Sequence, residues 1–301
     1  MHRLISNIVM KHILCVFVCL TNTFLCVGQT KHALLIGISD YCSEKDSSEN
    51  RWDNIHGTND VRLLFPTLEQ QGFEIKELCN SKANAANIRK AISTLEKKTQ
   101  KGDIVYIHFS CHGQPIEDLD KDEIDGWDEA LIPVDAKKIY QEHVYTGENH
   151  IIDDELNLYL EALREKAGKT GFVYVVIDAC HAGSSYRGEE EEEEIVFRGT
   201  NIGFSASHKP FVPKIDKRGR FKVDASTSMA DVCILEACRS YQLNSEIREN
   251  GEYYGSLSYY VNQVLCTNRL GKDINWVYQV SELMKKDIRL VRQNLVIETT
   301  L

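Results

Sequence analysis

Two runs of apolar residues restrict the fold of this 301-residue chain more than any other feature. The first, from Asp103 to Ser110, reads Asp-Ile-Val-Tyr-Ile-His-Phe-Ser, and the second, from Phe172 to Asp178, reads Phe-Val-Tyr-Val-Val-Ile-Asp. β-Branched and aromatic residues fill both runs with almost no polar alternation, which is typical of parallel strands that are buried on both faces. Such a sheet needs a layer of helices on each face, so the rest of the chain must supply them.

Strands and helices do alternate along the remaining sequence. We predict further strands over residues 33–39, 73–79, 232–238 and 295–299, and helices over residues 59–71, 83–98, 153–166, 257–267 and 274–293. This order predicts an α/β fold, a three-layer sandwich with a mostly parallel sheet between helices.

Residues 1–28 have the composition of a signal peptide. They contain Arg3 and Lys11 but no acidic residue, and their apolar stretch ends in Cys-Val-Gly. Polar residues interrupt this stretch, which makes it too short for a membrane span of about 20 residues. We therefore expect an exported protein, periplasmic or secreted, with no membrane span after the leader is removed. A retained anchor and a lipoprotein modified at Cys26 are the alternatives.

Charge and cysteine content narrow the function classes. The chain carries 35 Lys and Arg against 45 Asp and Glu, a net charge of −10, and loss of the leader removes two positive charges. A mature chain with a net charge of about −12 does not favour nucleic acid. Three of the ten cysteines lie in the leader, and the odd remainder of seven leaves at least one free thiol in an exported chain.

A thiol and an imidazole follow the two buried strands. Cys180 comes two residues after Asp178, and His112 comes two residues after Ser110. Parallel strands place their carboxyl ends at one edge of the sheet, where open α/β sheets have their sites. An adjacent imidazole lowers a thiol pKa and generates the nucleophilic thiolate, so the pair is typical of a cysteine nucleophile with a histidine base.

A zinc site is the alternative for this edge, since Cys111 and His181 stand beside the two residues. Successive side chains of an extended segment point to opposite faces, so the four potential ligands diverge. No Cys-x-x-Cys pair occurs in the chain, which also disfavours zinc.

Five motifs follow one another along the chain, namely Ser110-Cys-His-Gly-Gln, Asp125-Gly-Trp-Asp-Glu-Ala-Leu-Ile-Pro-Val-Asp135, Ile152-Asp-Asp-Glu-Leu156, Asp178-Ala-Cys-His-Ala-Gly183 and Glu236-Ala-Cys-Arg-Ser. In this order they resemble the motifs of the caspase-like cysteine peptidases, most closely the metacaspase branch. The resemblance implies a six-stranded, mainly parallel sheet flanked by helices. It also implies His112 as general base, Cys180 as nucleophile, and the backbone N–H groups of Gly113 and Cys180 as the oxyanion hole.

The acidic residues near His112 and Cys180 bear on which substrate side chain is accepted. The resemblance places Asp60, Ser110 and Asp178 around the substrate side chain, and Asp178 also lies two positions before the nucleophile, on the same side of its strand. Two carboxylates favour a cation and repel an acid, which predicts cleavage after Arg or Lys. The alternative is that Asp60 only caps a helix.

Calcium is the only cofactor that the resemblance implies, and the reaction of Cys180 with His112 requires none. The matching acids are Asp128, Asp153 and Asp154, and carboxylate oxygens suit this hard cation. A further aspartate of the family pattern is replaced here by Arg187, so one calcium ligand of that pattern has no counterpart at this position.

After the leader, residues 29–301 are predicted to form one caspase-like domain. It has a large-subunit-like part (29–186), an exposed loop (187–228) and a small-subunit-like part (229–301). The loop region offers basic residues for self-cleavage, namely Arg187, Arg198, Lys214, Lys217, Arg218 and Arg220.

The sequence therefore predicts an exported cysteine endopeptidase that acts on proteins or peptides after Arg or Lys through a thioester, and that processes itself. A catalytically silent module that binds basic peptides or partner proteins is the alternative from another class. A relative of clostripain and gingipain is the alternative within the peptidases. The oligomeric state stays open.

Overall fold

The computed structural model describes residues 28–41, 50–121, 123, 126–180 and 196–301. Its strands are β1 (Lys31–Gly37), β2 (Phe73–Cys79), β3 (Ile104–Ser110), β4 (His112–Glu117), β5 (Trp127–Ile132), β6 (Ile151–Ile152), β7 (Phe172–Asp178), β8 (Arg220–Lys222), β9 (Asp231–Glu236), β10 (Glu246–Glu249), β11 (Glu252–Gly255) and β12 (Val296–Thr299). Its α-helices are α1 (Gly57–Gln70), α2 (Ala85–Lys98), α3 (Asp153–Ala167), α4 (Ser256–Leu265) and α5 (Asn275–Lys286).

A seven-stranded sheet in the order β2-β1-β3-β7-β9-β12-β8 forms the centre of the domain. Only the β9–β12 pair is antiparallel, and the other neighbours are parallel. The predicted α/β sandwich with a mostly parallel sheet is therefore confirmed. The seventh strand, β8, is a three-residue segment of the region predicted as an exposed loop, and it pairs with the edge of β12.

Helices cover both faces of this sheet. Ile88 and Ile92 of α2 and Leu160 of α3 pack on one face. On the other face, Leu64 of α1 and Val261 of α4 join residues of α5. Both clusters are almost fully buried, so the sheet has a hydrophobic core on each side, as its apolar strands require.

The register of the central strands sets the position of the site. Gly37 of β1 pairs with Ser110 of β3, and Ser110 pairs with Asp178 of β7. The three strands therefore end at the same level, and the residues that follow them meet at one edge of the sheet.

Two smaller sheets lie beyond that edge. The strands β4, β5 and β6 form an antiparallel sheet, and β10 with β11 forms a hairpin. These elements were not predicted, because their polar residues give no clear periodicity. The predicted helix over residues 274–293 is also wrong in its length, since the extended backbone of Asp287 ends α5.

The leader lies outside the described residues except for Gly28, so export stays a prediction. Within the described ranges, none of the helices has the length and apolar character that crossing a membrane requires.

Candidate active site

His112 is the first residue of β4 and is held from several sides. Its backbone N–H donates to Tyr41 Oη at 3.0 Å, and the Tyr41 hydroxyl donates to the carbonyl oxygen of Ile132 at 2.8 Å. Its ring stacks on Trp52, with ring centres 5.0 Å apart. The imidazole therefore has one fixed orientation.

The hydrogen bonds of His112 also determine its tautomer. Nε2 lies 2.8 Å from the carbonyl oxygen of Asp53, which can only accept, so Nε2 carries the proton. Nδ1 is then the basic nitrogen, and this buried atom has no hydrogen-bond partner among the described residues. Burial lowers the pKa of His112 to about 4. At neutral pH the ring is uncharged and ready to accept a proton at Nδ1.

Cys180 follows β7 and is 1% exposed. Its thiol donates to the carbonyl oxygen of Gln242 at 2.9 Å. The thiol of Cys238 shares this acceptor at 3.5 Å. The hydrogen bond with Cys180 is the largest of the causes that raise the pKa of Cys238, so this second thiol stays protonated.

One carbonyl oxygen joins the two strand ends. The backbone N–H of Cys180 donates to the oxygen of Arg198 at 2.9 Å, and the N–H of Gly113 donates to the same atom at 3.2 Å. Because both donors meet one oxygen, Gly113, which follows His112, lies beside Cys180. Two N–H groups that converge on a carbonyl oxygen have the geometry of an oxyanion hole.

The side chain of Arg198 fills a buried pocket behind this carbonyl. Its Nη1 lies 2.8 Å from Asp60 Oδ2 and 2.7 Å from Ser110 Oγ. Asp178 Oδ1 is more distant, at 3.7 Å. Ser110 also donates to Asp60 at 2.6 Å. The structure thus brings the three predicted pocket residues around one guanidinium.

Asp178 has further partners that fix its carboxylate. Oδ2 accepts hydrogen bonds from the backbone N–H of Ser258 at 2.7 Å and from its hydroxyl at 2.6 Å. Oδ1 accepts one from Asn244 Nδ2 at 2.7 Å. The negative charge of Asp178 is therefore held rigidly at the wall of the pocket.

A third carboxylate, from Glu246, closes the pocket. Its Oε1 lies 3.1 Å from Arg198 Nε and 2.9 Å from Nη2. Burial alone lowers the pKa of Arg198, but Asp60, Asp178 and Glu246 together raise it above its ordinary value. The guanidinium is therefore charged at neutral pH.

Asp60 lies in the first turn of α1, where its carboxylate accepts the Gly255 N–H at 3.0 Å. Burial raises its pKa to about 6, opposed by the charge of Arg198. The N-cap of α1 is His56, and the Asp60 carboxylate contacts Ser110, Gly255 and Arg198, so the alternative that Asp60 only caps a helix is wrong.

The chain around Arg198 pairs with residues 244–246 through an isolated antiparallel β-bridge between Phe197 and Ser245. The N–H of Arg198 donates to the carbonyl oxygen of Asn244 at 3.0 Å, and the N–H of Glu246 donates to that of Val196 at 2.9 Å. Gly199 follows so closely that a Cβ there would lie 1.9 Å from the carbonyl oxygen of Cys180. Strand pairing of this kind is a common way for a peptide to bind a protein.

The predicted calcium ligands are not assembled into a metal site. Asp128 lies on β5, whereas Asp153 and Asp154 begin α3. Burial, followed by the charges of Glu129 and Asp154, raises the pKa of Asp153 to about 7. In the part of the chain that the structure describes, no three His, Cys, Asp or Glu side chains are placed to hold a metal ion. Residue 187 lies outside that part, and calcium binding stays a prediction.

Several site residues were missed at the level of sequence. Tyr41, Trp52 and Asp53 lie between the strand predicted over residues 33–39 and the helix predicted over residues 59–71, where no site residue was predicted. Glu246 lies six residues beyond the end of the last motif. Arg198 was among the candidate cleavage sites, but no pattern singled it out. The aromatic residues that follow the first strand are the one sequence signal that could have indicated Tyr41 and Trp52.

Known proteins share this architecture. A model of the caspase domain matches residues 30–288. The chain belongs to the caspase-domain family. The predicted resemblance to caspase-like cysteine peptidases is thereby confirmed.

Among similar proteins, Metacaspase-1B of Neosartorya fischeri is 28% identical over 266 residues, which cover 78% of this chain and 61% of the relative. Metacaspase-1A of Aspergillus fumigatus is 33% identical over 172 residues, or 53% of this chain and 36% of the relative. The chain thus spans about three fifths or less of these relatives' length.

A solved structure, protein GSU0716 of Geobacter sulfurreducens, has the same fold. The TM-score is 0.59 at 20% sequence identity, with 90% of this chain and 93% of that chain covered.

Proposed function

We propose that this caspase-domain protein is an exported cysteine endopeptidase that cleaves after Arg or Lys, and that its first substrate is its own Arg198–Gly199 bond. The placement of Arg198 carries the proposal. Its carbonyl oxygen accepts from Gly113 and Cys180, and its guanidinium faces the acids of the pocket. These are the contacts that a substrate needs on the acyl side of the bond to be cut.

The residues of the site suggest the following reaction. His112 Nδ1 takes the thiol proton of Cys180, and the sulfur attacks the carbonyl carbon of Arg198. The electron pair of the C=O bond moves to its oxygen, where the N–H groups of Gly113 and Cys180 stabilise it. One such donor contributes about 3 kcal/mol to the transition state of an acyl transfer.

Collapse of this intermediate breaks the C–N bond to Gly199. The imidazolium of His112 gives its proton to the departing amine, which becomes the new amino terminus. A water molecule, deprotonated by the same imidazole, then hydrolyses the thioester to the Arg198 carboxylate and restores the Cys180 thiol.

Departure of Arg198 from the pocket is the step that admits other substrates. While it remains, the pocket and both N–H donors are occupied by the chain itself. We therefore propose that the intact chain is inactive on other proteins and that cleavage after Arg198 activates it.

Self-cleavage is tested on purified full-length chain by gel electrophoresis and by sequencing of new amino termini. Wild type should give a fragment that begins at Gly199, and Cys180→Ala should stay intact. Lys217→Ala removes an exposed basic residue of the same region and should be processed normally. Arg198→Ala should lose this cut, with its fold checked by circular dichroism. Arg198→Lys keeps the charge, and it replaces Arg198→Ala in this test if Arg198→Ala does not fold.

Activity on other substrates is tested with fluorogenic peptides that differ only in the cleaved residue. Arg and Lys peptides should be hydrolysed by the processed chain, and an Asp peptide should not. Cys180→Ala and His112→Ala should each lower kcat by at least about 10³-fold. A folded chain that cleaves neither itself nor these peptides, and whose Cys180 does not react with an Arg chloromethyl ketone, would favour the silent peptide-binding module instead.

A further inference from the structure

We propose that Glu246 makes the pocket select arginine over lysine. This inference rests on the proposed function, because it assumes that the arginine of a substrate binds where the Arg198 side chain lies. Glu246 lies on β10, and its side chain is fully buried beside the guanidinium.

The pocket contacts two different edges of the guanidinium. Asp60 and Ser110 meet Nη1 at its tip, at 2.8 and 2.7 Å. Glu246 meets the opposite edge, where a single oxygen accepts from Nε at 3.1 Å and from Nη2 at 2.9 Å. Negative charge therefore lies at both edges of a flat, two-ended cation.

A lysine side chain cannot reproduce this arrangement. Its charge sits on one ammonium nitrogen at the end of an apolar stem, and nothing corresponds to the Nε–H along the stem. An ammonium that reaches Asp60 leaves Glu246 Oε1 without the two N–H donors of the guanidinium, and one that reaches Glu246 leaves Asp60 without the Nη1 donor. In a pocket that excludes water, a carboxylate oxygen that loses its donors is costly.

Hydrogen bonds hold the Glu246 carboxylate in place, so it cannot move towards the ammonium group of a bound lysine. The backbone N–H of His56 donates to Oε1 at 2.8 Å, and His56 Nδ1 lies 2.5 Å from Oε2. The ring of Tyr253 stacks on His56 with centres 4.9 Å apart. The hydrogen bond to Glu246 is the main cause that raises the pKa of His56, so the two groups also attract each other.

The first test compares peptides that differ only by Arg or Lys at the cleaved position, with processed enzyme quantified by an Arg chloromethyl ketone. Wild type should prefer Arg by about tenfold or more in kcat/KM, and Glu246→Gln should bring the ratio towards 1 by losing activity on Arg. Glu249→Gln is the matched control, because Glu249 lies on the same strand but pairs with Arg289 at the surface. An unchanged ratio in Glu246→Gln overturns the inference.

The second test does not depend on catalysis. In the Cys180→Ala chain, the unfolding equilibrium is measured for Arg198→Lys, for Glu246→Gln and for the double variant. Arg198→Lys should shift the equilibrium constant at least about tenfold more when Glu246 is present than in the Glu246→Gln background. Equal shifts refute the inference. If the shifts differ as expected but the folded chain cleaves no peptide, the proposed function is refuted. The inference that Glu246 recognises arginine then still holds.

Discussion

Arg198 and Asp60 form an ion pair that is closed to solvent, with Nη1 2.8 Å from Oδ2 and both side chains 0% exposed. A residue from the segment between β7 and β8 is thus anchored in the pocket at the end of the central sheet. Loss of one partner of a buried pair leaves the other charge uncompensated, which usually costs about 3 to 5 kcal/mol.

Arg198→Ala should therefore lower the free energy of unfolding by about 3 to 5 kcal/mol, since three carboxylates lose their common cation. The measurement is urea denaturation in the Cys180→Ala background, where self-cleavage does not interfere. Lys217→Ala, at an exposed position, should change the stability by no more than about 0.5 kcal/mol. Equal stability of the two variants would mean that the pocket does not hold Arg198 in solution.

The affinity for Arg substrates should fall as the pH drops towards about 6. Burial raises the pKa of Asp60 to about 6 while the charge of Arg198 opposes this rise, so the pKa lies higher once Arg198 has left the pocket. Acid therefore protonates Asp60 more readily in the empty pocket than in the occupied one, which weakens the binding of a cation. His112 stays neutral until about pH 4, so kcat should change little over this range. We expect KM of the processed enzyme to rise as the pH is lowered from neutral towards about 6 and to level off below it, and Asp60→Asn to flatten this profile. A fall in kcat near pH 6.5 at constant KM would contradict the assignment.

Gly199→Ala should slow self-cleavage at least about tenfold. A Cβ at this position would lie 1.9 Å from the carbonyl oxygen of Cys180, a distance that forces the segment away from the nucleophile. Gly219→Ala is the matched control, because its Cβ would come no closer than 3.5 Å to any neighbour. The rate is followed as appearance of the Gly199 fragment, or of its alanine counterpart, over time. Similar rates for the two variants would place the scissile bond elsewhere.

Tyr41→Phe should lower both stability and kcat. The hydroxyl links the His112 N–H to the Ile132 carbonyl oxygen, and both buried groups lose a partner without it, at a cost of about 1 to 3 kcal/mol. Since the bond positions the imidazole, kcat should fall more than KM rises. Tyr278→Phe, on an exposed part of α5, is the control for removal of a hydroxyl. Unaltered kcat in folded Tyr41→Phe would show that other contacts suffice to orient His112.

Local sequence was sufficient for the core of the fold. The strands over 73–79 and 172–178 have the predicted bounds. The second is a continuous β-branched and aromatic run, which is typical of a strand inside a covered parallel sheet. The placement of Cys180 and His112 after β7 and β3 follows from the same patterns, since parallel strands of equal register end together.

The chemistry of the pocket was decided by contacts between distant parts of the chain. Glu246 and Arg198 are 48 residues apart and lie in polar segments without a periodic pattern, so nothing local indicates that they meet. Asp53 contributes only a backbone carbonyl oxygen to His112, an atom that every residue has. Side-chain periodicity reports which face of an element is buried, whereas the pairing of charges and carbonyls inside the pocket exists only once the chain has closed around it.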